Sequence, residues 1–434
     1  MRTRKIFLTV ALLLTFSIAT ADDRPPRSDD DDRRPPPSDR RQPRRDRGPE
    51  RGGQQYSIQQ AVSDQAQLHT IAFSGLAFMT GDFGASTFIP PGKVADFFGF
   101  QYMRDIDFAG KGHNPMFLDR VAGNVMRILS DDQRRIFEQA ARGQEELFRG
   151  IALKRLPLIA AFHRQLEGKR GGLNRRAVLS YGAELFALDA KLAFQRARVF
   201  GEVARGLSSQ QRESLSAMKF GDFNSWPAID REQARQYRPR GASKLVSVGY
   251  MTLASEFFSW YAGSVQADTY FCPERHGTYF GGFYLKDMPA MGQRDYDIPT
   301  SLTGDSGAAF MDMLSSGQRA AMMRLIAQQR GTLGEIVQVR RNISTRLRGF
   351  LTGAPPSEQQ IITLGRRYGQ LDAELAYMYA TTFTEIYQSM NSAQKQRLQE
   401  LRSHHSRETG TAYIYSDRIR MENLPDSSVF FNTR

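Results

Sequence analysis

The sequence predicts an all-α protein built from two tandem copies of a helical unit of about 180 residues. Three observations support this fold class. Apolar residues recur at helical spacing, the long helical runs end at Gly and Pro, and matched residues recur at an offset of 182 or 183 residues. The chain has 434 residues, of which 40% are hydrophobic, so it is long enough for two ordinary domains.

The amino terminus has the pattern of a secretory signal peptide. Arg2, Arg4 and Lys5 precede an apolar stretch over residues 6–18, and small residues follow at Ala19 and Ala21. We predict cleavage after Ala21 and a periplasmic or secreted mature protein. The alternative is a membrane anchor, but this stretch is shorter than the ~20 residues that a spanning helix needs. No later stretch reaches ~18 apolar residues, so no transmembrane segment is expected in the mature chain.

Residues 22–54 are rich in Pro, Arg and Asp and have almost no apolar side chains. Such a segment buries too little surface to offset the entropy of ordering it, so it is predicted to be a disordered linker. Its mixed charge leaves two roles open. It is either a spacer or an arm that touches the cell wall or another partner.

The folded body is predicted to be basic. The formal net charge is +13, of which the signal peptide contributes +3 and residues 22–53 contribute +1, which leaves +9 for the rest. A basic surplus favours unfolded or acidic proteins, or anionic envelope polymers, as partners. Nucleic acid is a poor partner for an exported protein. Cys272 is the only cysteine, so no internal disulfide can form.

The tandem duplication rests on two matched regions. Pro, Gly, Tyr and Asp recur at an offset of 182 in the first region, and Leu-Asp-Ala segments and a Phe recur at 183 in the second. The pairs are Pro91 and Pro273, Gly99 and Gly281, Tyr102 and Tyr284, Asp105 and Asp287, Asp189 and Asp372, and Phe200 and Phe383. We predict unit 1 over residues 55–235, unit 2 over residues 236–420 and a C-terminal tail over residues 421–434.

Each unit is predicted to be an antiparallel bundle of four to six helices. Leu185, Leu188 and Leu192 follow the spacing of one helix face, and Tyr368, Leu371 and Leu375 repeat it. Gly168 and Gly353 interrupt long helical runs. The aromatic and Gly-rich segment after residue 87, with its copy, is predicted to form an ordered loop or short strands.

Four segments share an apolar residue, a capping residue, two spacers, Gln and a cation. This pattern predicts a capping box, in which the capping side chain accepts from the N3 amide and the Gln side chain accepts from the cap amide. The capping and Gln positions are Ser130 and Gln133, Ser208 and Gln211, Ser315 and Gln318, and Asn391 and Gln394. Four well-made helix starts are sufficient to explain the pattern without any function.

These segments also resemble the LTxxQ motif of the Spy- and CpxP-like periplasmic proteins. The resemblance covers about six residues at each of four places, and Ser or Asn stands where the motif prefers Thr. It implies a helical, exported, cysteine-poor protein that binds unfolded proteins without ATP or senses envelope stress. The implied mechanism is electrostatic capture followed by weak apolar contact.

Two aromatic segments are the candidate recognition surface. They place Phe, Tyr and a cation beside an Asp in both units, and paired copies of such a loop would give bivalent capture. The alternative is a packed loop whose aromatic side chains plug the bundle. The candidate binding residues are Phe98, Phe100, Tyr102 and Arg104, with Phe280, Phe283, Tyr284 and Lys286.

No catalytic residue, metal site or cofactor is predicted. Cys272 and His276 lack a third group, and no phosphate loop, haem site or zinc spacing occurs. Asp189 and Asp372 are expected to form a buried hydrogen bond or an ion pair with Arg. The leading hypothesis is an exported, non-enzymatic binding protein. A structural component of the cell envelope and an enzyme of unknown class are the alternatives, and the oligomeric state is left open.

Overall fold

The computed structural model describes residues 55–57, 64–80, 103–104, 122–168, 172–218, 227, 229–263, 265, 297–299, 304–403, 412–414, 417–419 and 431. The predicted signal peptide and linker lie outside these residues. The helices of the first half are α1 Asp64–Thr80, α2 Gly123–Ile128, α3 Asp131–Gly143, α4 Glu145–Leu166, α5 Arg175–Arg205 and α6 Ser209–Ala217. Those that follow are α7 Arg231–Gln236, α8 Lys244–Ala262, α9 Gly304–Met313, α10 Ser316–Thr352, α11 Glu358–Gln388 and α12 Ser392–Ser403.

The prediction of an all-α protein is confirmed, because the described strands have only two or three residues each. β1 Gln55–Ser57 pairs antiparallel with β3 Asp297–Pro299. β4 Ala412–Ile414 pairs antiparallel with both β2 Met103–Arg104 and β5 Asp417–Ile419. Within the described part of the chain, no helix is both long and apolar enough to cross a bilayer.

Glycine ends the long helices where the sequence predicted breaks. Gly353 adopts φ 82° at the C-cap of α10, and Gly168 adopts φ 67° just after α4. Only glycine enters this left-handed region without a steric penalty, so the helical run cannot continue through either position unchanged. Gly241, with φ 65°, makes the corresponding turn before Ser243 caps α8.

Two 31-residue helices, α5 and α11, form the centre of the fold. Gly182 of α5 lies against Gly369 and Ala373, whereas Ala190, further along α5, lies against Gly365. Because the contact moves backwards along α11 as α5 advances, the two helices run antiparallel. α4 and α10 pack alongside this pair and complete a four-helix core.

The first helix of each predicted unit packs on the later helices of the other unit. α1 contacts α9, α10, α11 and α12, whereas α8 contacts α2, α3, α5 and α6. The described helices therefore belong to one compact unit in which the two halves of the chain are interleaved. The sequence pattern placed two bundles one after the other and contained no sign of this exchange.

The two halves share internal packing. Phe78 of α1 and Phe383 of α11 have ring centroids 6.0 Å apart at 43°, and Trp260 of α8 and Phe200 of α5 have centroids 5.9 Å apart at 44°. Trp260 follows Phe78 by 182 residues and Phe383 follows Phe200 by 183, which are the offsets found in the sequence. The tandem duplication itself remains a prediction.

Candidate functional site

All four LTxxQ-like segments begin helices in the same way. The backbone N–H of Gln133 donates to Ser130 Oγ at 3.3 Å, and the N–H of Ser130 donates to Gln133 Oε1 at 2.9 Å. The same reciprocal pair begins α6 at Ser208, α10 at Ser315 and α12 at Asn391. Each box satisfies two backbone N–H groups that an uncapped helix would leave unpaired.

The first two boxes are joined through their glutamine side chains. Gln133 Nε2 donates to Gln211 Oε1 at 3.2 Å, and Gln211 Nε2 donates back to Gln133 Oε1 at 2.7 Å. Each amide donates its second hydrogen to a backbone carbonyl. Gln133 donates to Gly206 at 3.1 Å, and Gln211 donates to Ile128 at 2.9 Å. We call this arrangement of Gln133 and Gln211 the first clasp.

The last two boxes form a second clasp, made of Gln318 and Gln394. Gln394 Nε2 donates to Gln318 Oε1 at 2.8 Å and to the carbonyl of Met313 at 2.9 Å. Gln318 Nε2 donates to Ser389 Oγ at 3.0 Å. Met313 and Ser389 precede the second pair of segments as Ile128 and Gly206 precede the first pair. The second clasp differs in two ways: one hydrogen bond joins its amides instead of two, and Ser389 accepts through its hydroxyl where Gly206 accepts through its carbonyl.

Each amide of the first clasp is fully used. Gln133 and Gln211 both donate twice and accept twice, which is close to the capacity of a primary amide. Gln133 is 7% exposed and Gln318 is 8% exposed. The clasps therefore hold two helix corners together, and the two glutamines of the first clasp use both of their amide hydrogens within the protein.

The arginine after the glutamine, present in three of the four segments, caps the helix that precedes it, whereas Lys395 of the fourth lies over the Tyr387 ring. Arg134 donates to the carbonyls of Leu129 and, at 2.7 Å, of Met126, at the end of α2. Arg212 reaches the carbonyl of Arg205 at 3.4 Å, and Arg319 that of Leu314 at 3.4 Å. Cations stabilise the carbonyl ends of helices, which explains why the motif has a cation where an apolar residue is usual.

The candidate recognition residues fall almost entirely outside the part of the chain that the structure describes. Phe98, Phe100, Tyr102, Phe280, Phe283, Tyr284 and Lys286 lie outside the described residues. Arg104 belongs to β2, and only its backbone is described. The aromatic surface therefore stays a prediction.

Sequence reasoning missed a buried ion pair between α5 and α8. Arg196 Nη1 lies 2.6 Å and 2.7 Å from the two carboxylate oxygens of Glu256, and both side chains are buried. Arg196 Nε also donates to Gln144 at 3.2 Å. Because both side chains are buried, removing one charge would leave the other in the core without a partner, which is strongly destabilising.

A buried neutral network joins α1, α10 and α11. Gln329 Nε2 donates to Gln67 of α1 at 3.0 Å, and the Tyr379 hydroxyl donates to Gln329 Oε1. Burial raises the pKa of Tyr379 well above its usual value. Tyr379 and Gln329 stand at the positions of Arg196 and Gln144, displaced by 183 and 185 residues.

Asp189 and Asp372 are both buried, on α5 and α11 respectively. Among the described residues, no group of three His, Cys, Asp or Glu side chains is placed to hold a metal ion. The main polar features of the described residues are the two clasps, the buried Arg196–Glu256 ion pair and the Gln67–Gln329–Tyr379 network.

Comparisons with known protein families, with curated proteins and with solved structures find no match for this chain.

Proposed function

We propose that this chain is an exported, non-enzymatic helical binding protein that holds unfolded proteins without ATP. The observation that carries the proposal is the pairing of the four LTxxQ-like segments, two by two, through hydrogen bonds between their glutamine amides. A motif that recurs four times in one structural role supports the resemblance to the LTxxQ periplasmic proteins more strongly than isolated helix caps would. We also propose that the two clasps descend from one duplicated unit.

In the proposed mechanism, one part of the molecule gives rigidity and another part contacts the client. The clasps keep the corners of the bundle fixed, and a basic surface attracts an acidic or unfolded client. α10 carries five exposed arginines, and Glu335 is its only acidic residue. Met323, on the same exposed face, is 46% exposed and offers apolar contact.

The proposal is tested with residues 22–434 and a reduced, aggregating test protein in the absence of ATP. We expect a several-fold excess of the chain to suppress light scattering, and we expect added salt to weaken the effect because capture begins electrostatically. Undiminished scattering at that excess would contradict the proposal. Lysozyme is a suitable control, because it is basic but unrelated.

The exposed arginines of α10 favour one second candidate, a structural component of the cell envelope. Arg319, Arg324, Arg330, Arg341 and Arg346 all face solvent. Salt-sensitive co-sedimentation with an anionic envelope polymer, without any effect on client aggregation, would favour this candidate over the first.

A further inference from the structure

α1 fills an apolar groove formed by the second half of the chain. Its buried side chains include Ile71, Leu76, Phe78 and Met79. A Cβ on Gly75 would lie 3.2 Å or 3.3 Å from the side chains of three other helices. The three side chains are Phe310, Met322 and Phe383. Together with Gln329 and Tyr379 they form what we call the α1 groove.

α8 occupies the matching groove of the first half with larger side chains. Where α1 has Gly75, Leu76 and Phe78, α8 has Phe257, Phe258 and Trp260 at an offset of 182 residues. Phe257 packs against Phe137 and Phe200, with ring centroids 5.6 Å and 5.9 Å apart. Gly75 has no side chain to bury and also disfavours the helix, so this part of α1 contributes less to docking than the matching part of α8.

The buried polar contact at one matched position differs in the same direction, whereas Asp64 at the start of α1 forms an exposed ion pair with Arg330. Glu256 of α8 forms the buried ion pair with Arg196, whereas Ser74 occupies the matching position of α1. The Ser74 hydroxyl is fully buried and has no hydrogen-bond partner among the described residues. A buried hydroxyl without a partner opposes docking of the helix that carries it.

We propose that α1 is a detachable cover and that the α1 groove is the site that takes a client, as an apolar helical segment. This inference rests on the proposed function and names the surface that performs it. Local opening of the most weakly held element is the expected first step of unfolding in such a fold. Detachment of α1 exposes Phe310, Met322 and Phe383 together, which is an apolar patch of the kind that binds proteins.

α1 itself shows which partner fits. A suitable segment forms a helix of about four turns, places two or three apolar side chains along one face, and carries an amide or hydroxyl opposite Gln329. Gln67 supplies that polar group in α1, through its 3.0 Å bond to Gln329. The partner contacts the groove as an amphipathic helix lying in it.

The test uses residues 22–434 and a fluorescent peptide with the sequence of residues 64–80. We expect the peptide to bind in trans and the Leu76→Ala protein, whose own α1 docks less well, to bind it with an apparent Kd at least about tenfold lower. Phe258→Ala, the matched change in α8, should leave the Kd within about threefold. A peptide with Ser in place of both Leu76 and Phe78 should not bind.

Hydrogen exchange of the unmodified protein gives a second measurement that needs no variant. We expect the amides of α1 to exchange at least about tenfold faster than those of α8 while α11 stays protected. Exchange of α1 and α11 at one common rate would overturn the inference. So would a Leu76→Ala protein that is folded yet fails to bind the peptide, or one that instead forms dimers through α1.

The two proposals fail separately. Peptide binding without suppression of aggregation would refute the chaperone-like function and leave the detachable helix in place. Suppression of aggregation that is unchanged by saturating peptide would assign client capture to another surface and refute the groove.

Discussion

Gly182 of α5 and Gly369 of α11 lie so close that a Cβ on Gly369 would be 2.2 Å from the carbonyl oxygen of Gly182. The reverse contact is also too short, because a Cβ on Gly182 would be 2.7 Å from the carbonyl oxygen of Gly369. The central helix pair therefore requires glycine at both positions, and backbone atoms rather than flexible side chains impose the requirement.

Gly369→Ala is expected to lower the free energy of unfolding by about 3 kcal/mol, the upper end for overpacking, because the helices must separate. Gly334→Ala is the matched control, since a Cβ there would meet no atom within 4 Å. It should raise stability by about 0.5–1 kcal/mol through the better helix propensity of Ala. Urea unfolding followed by circular dichroism measures both values. Equal effects would mean that the crossing is looser than described.

Gln133→Glu should destabilise the protein by about 2–4 kcal/mol at neutral pH, because a carboxylate cannot donate to Gly206 and Gln211. Gln360→Glu is the control. Gln360 completes the capping box of Ser357 at the start of α11 and is exposed. Glu serves a capping box as well as Gln does, so this change should cost less than about 0.5 kcal/mol. Similar losses for the two variants would argue against the clasp.

Arg196→Met should cost about 3–5 kcal/mol, because Glu256 would remain buried and charged without its partner. Adding Glu256→Leu should recover most of this loss, since the uncompensated charge is then removed. Arg397→Ala tests an exposed pair, with Glu400 3.0 Å away, and should leave the free energy of unfolding almost unchanged because solvent screens the pair. A double variant no more stable than Arg196→Met would show that shape rather than charge holds this position.

Phe431→Ala should destabilise the protein by about 3–5 kcal/mol, although the residue lies in the predicted C-terminal tail. Phe431 is fully buried, packs against Tyr181 with centroids 4.9 Å apart, and accepts a hydrogen bond from the N–H of Asn174. Phe431→Leu keeps most of the apolar volume and should cost clearly less. Thermal unfolding of the two variants distinguishes a docked terminus from a dispensable one.

The ionisation of Tyr181 is expected to lower the stability of the fold at alkaline pH. Burial raises the pKa of Tyr181 to about 12, and its hydroxyl donates to the Lys154 carbonyl at 2.6 Å. The folded state therefore keeps a proton that the unfolded chain releases at its ordinary pKa near 10, so stability is intact below about pH 10 and falls as pH rises towards 12. Tyr181→Phe should reduce that slope, measured as urea midpoints across the pH range. An unchanged slope would assign the alkaline loss to other groups.

Much of the local structure could be predicted because its causes are local. A capping box needs residues only three positions apart, and a glycine ends a helix through its own backbone. The sequence alone therefore predicts four helix starts, at Ser130, Ser208, Ser315 and Asn391. The apolar spacing of Leu185 and Leu192 likewise predicts a buried face on α5.

Only part of the candidate site could be predicted in the same way. The four glutamines were found as capping residues, but their pairing was not, since Gln133 and Gln211 are 78 residues apart. Nothing in the spacing of either segment indicates which other segment it meets. The cation after each glutamine is an exception to the usual capping pattern, and the role of Arg134, Arg212 and Arg319 follows only from the position of the preceding helix end.

By itself, the sequence determined the fold class, four helix starts and the helix ends near Gly168 and Gly353, because these depend on contacts between near neighbours. Only the tertiary structure decided that α1 and α8 exchange places, that Arg196 meets Glu256, and that Gly182 faces Gly369. These relationships join residues far apart in the chain. Their energies depend on how helices cross and on what surrounds a buried charge, which no local pattern encodes.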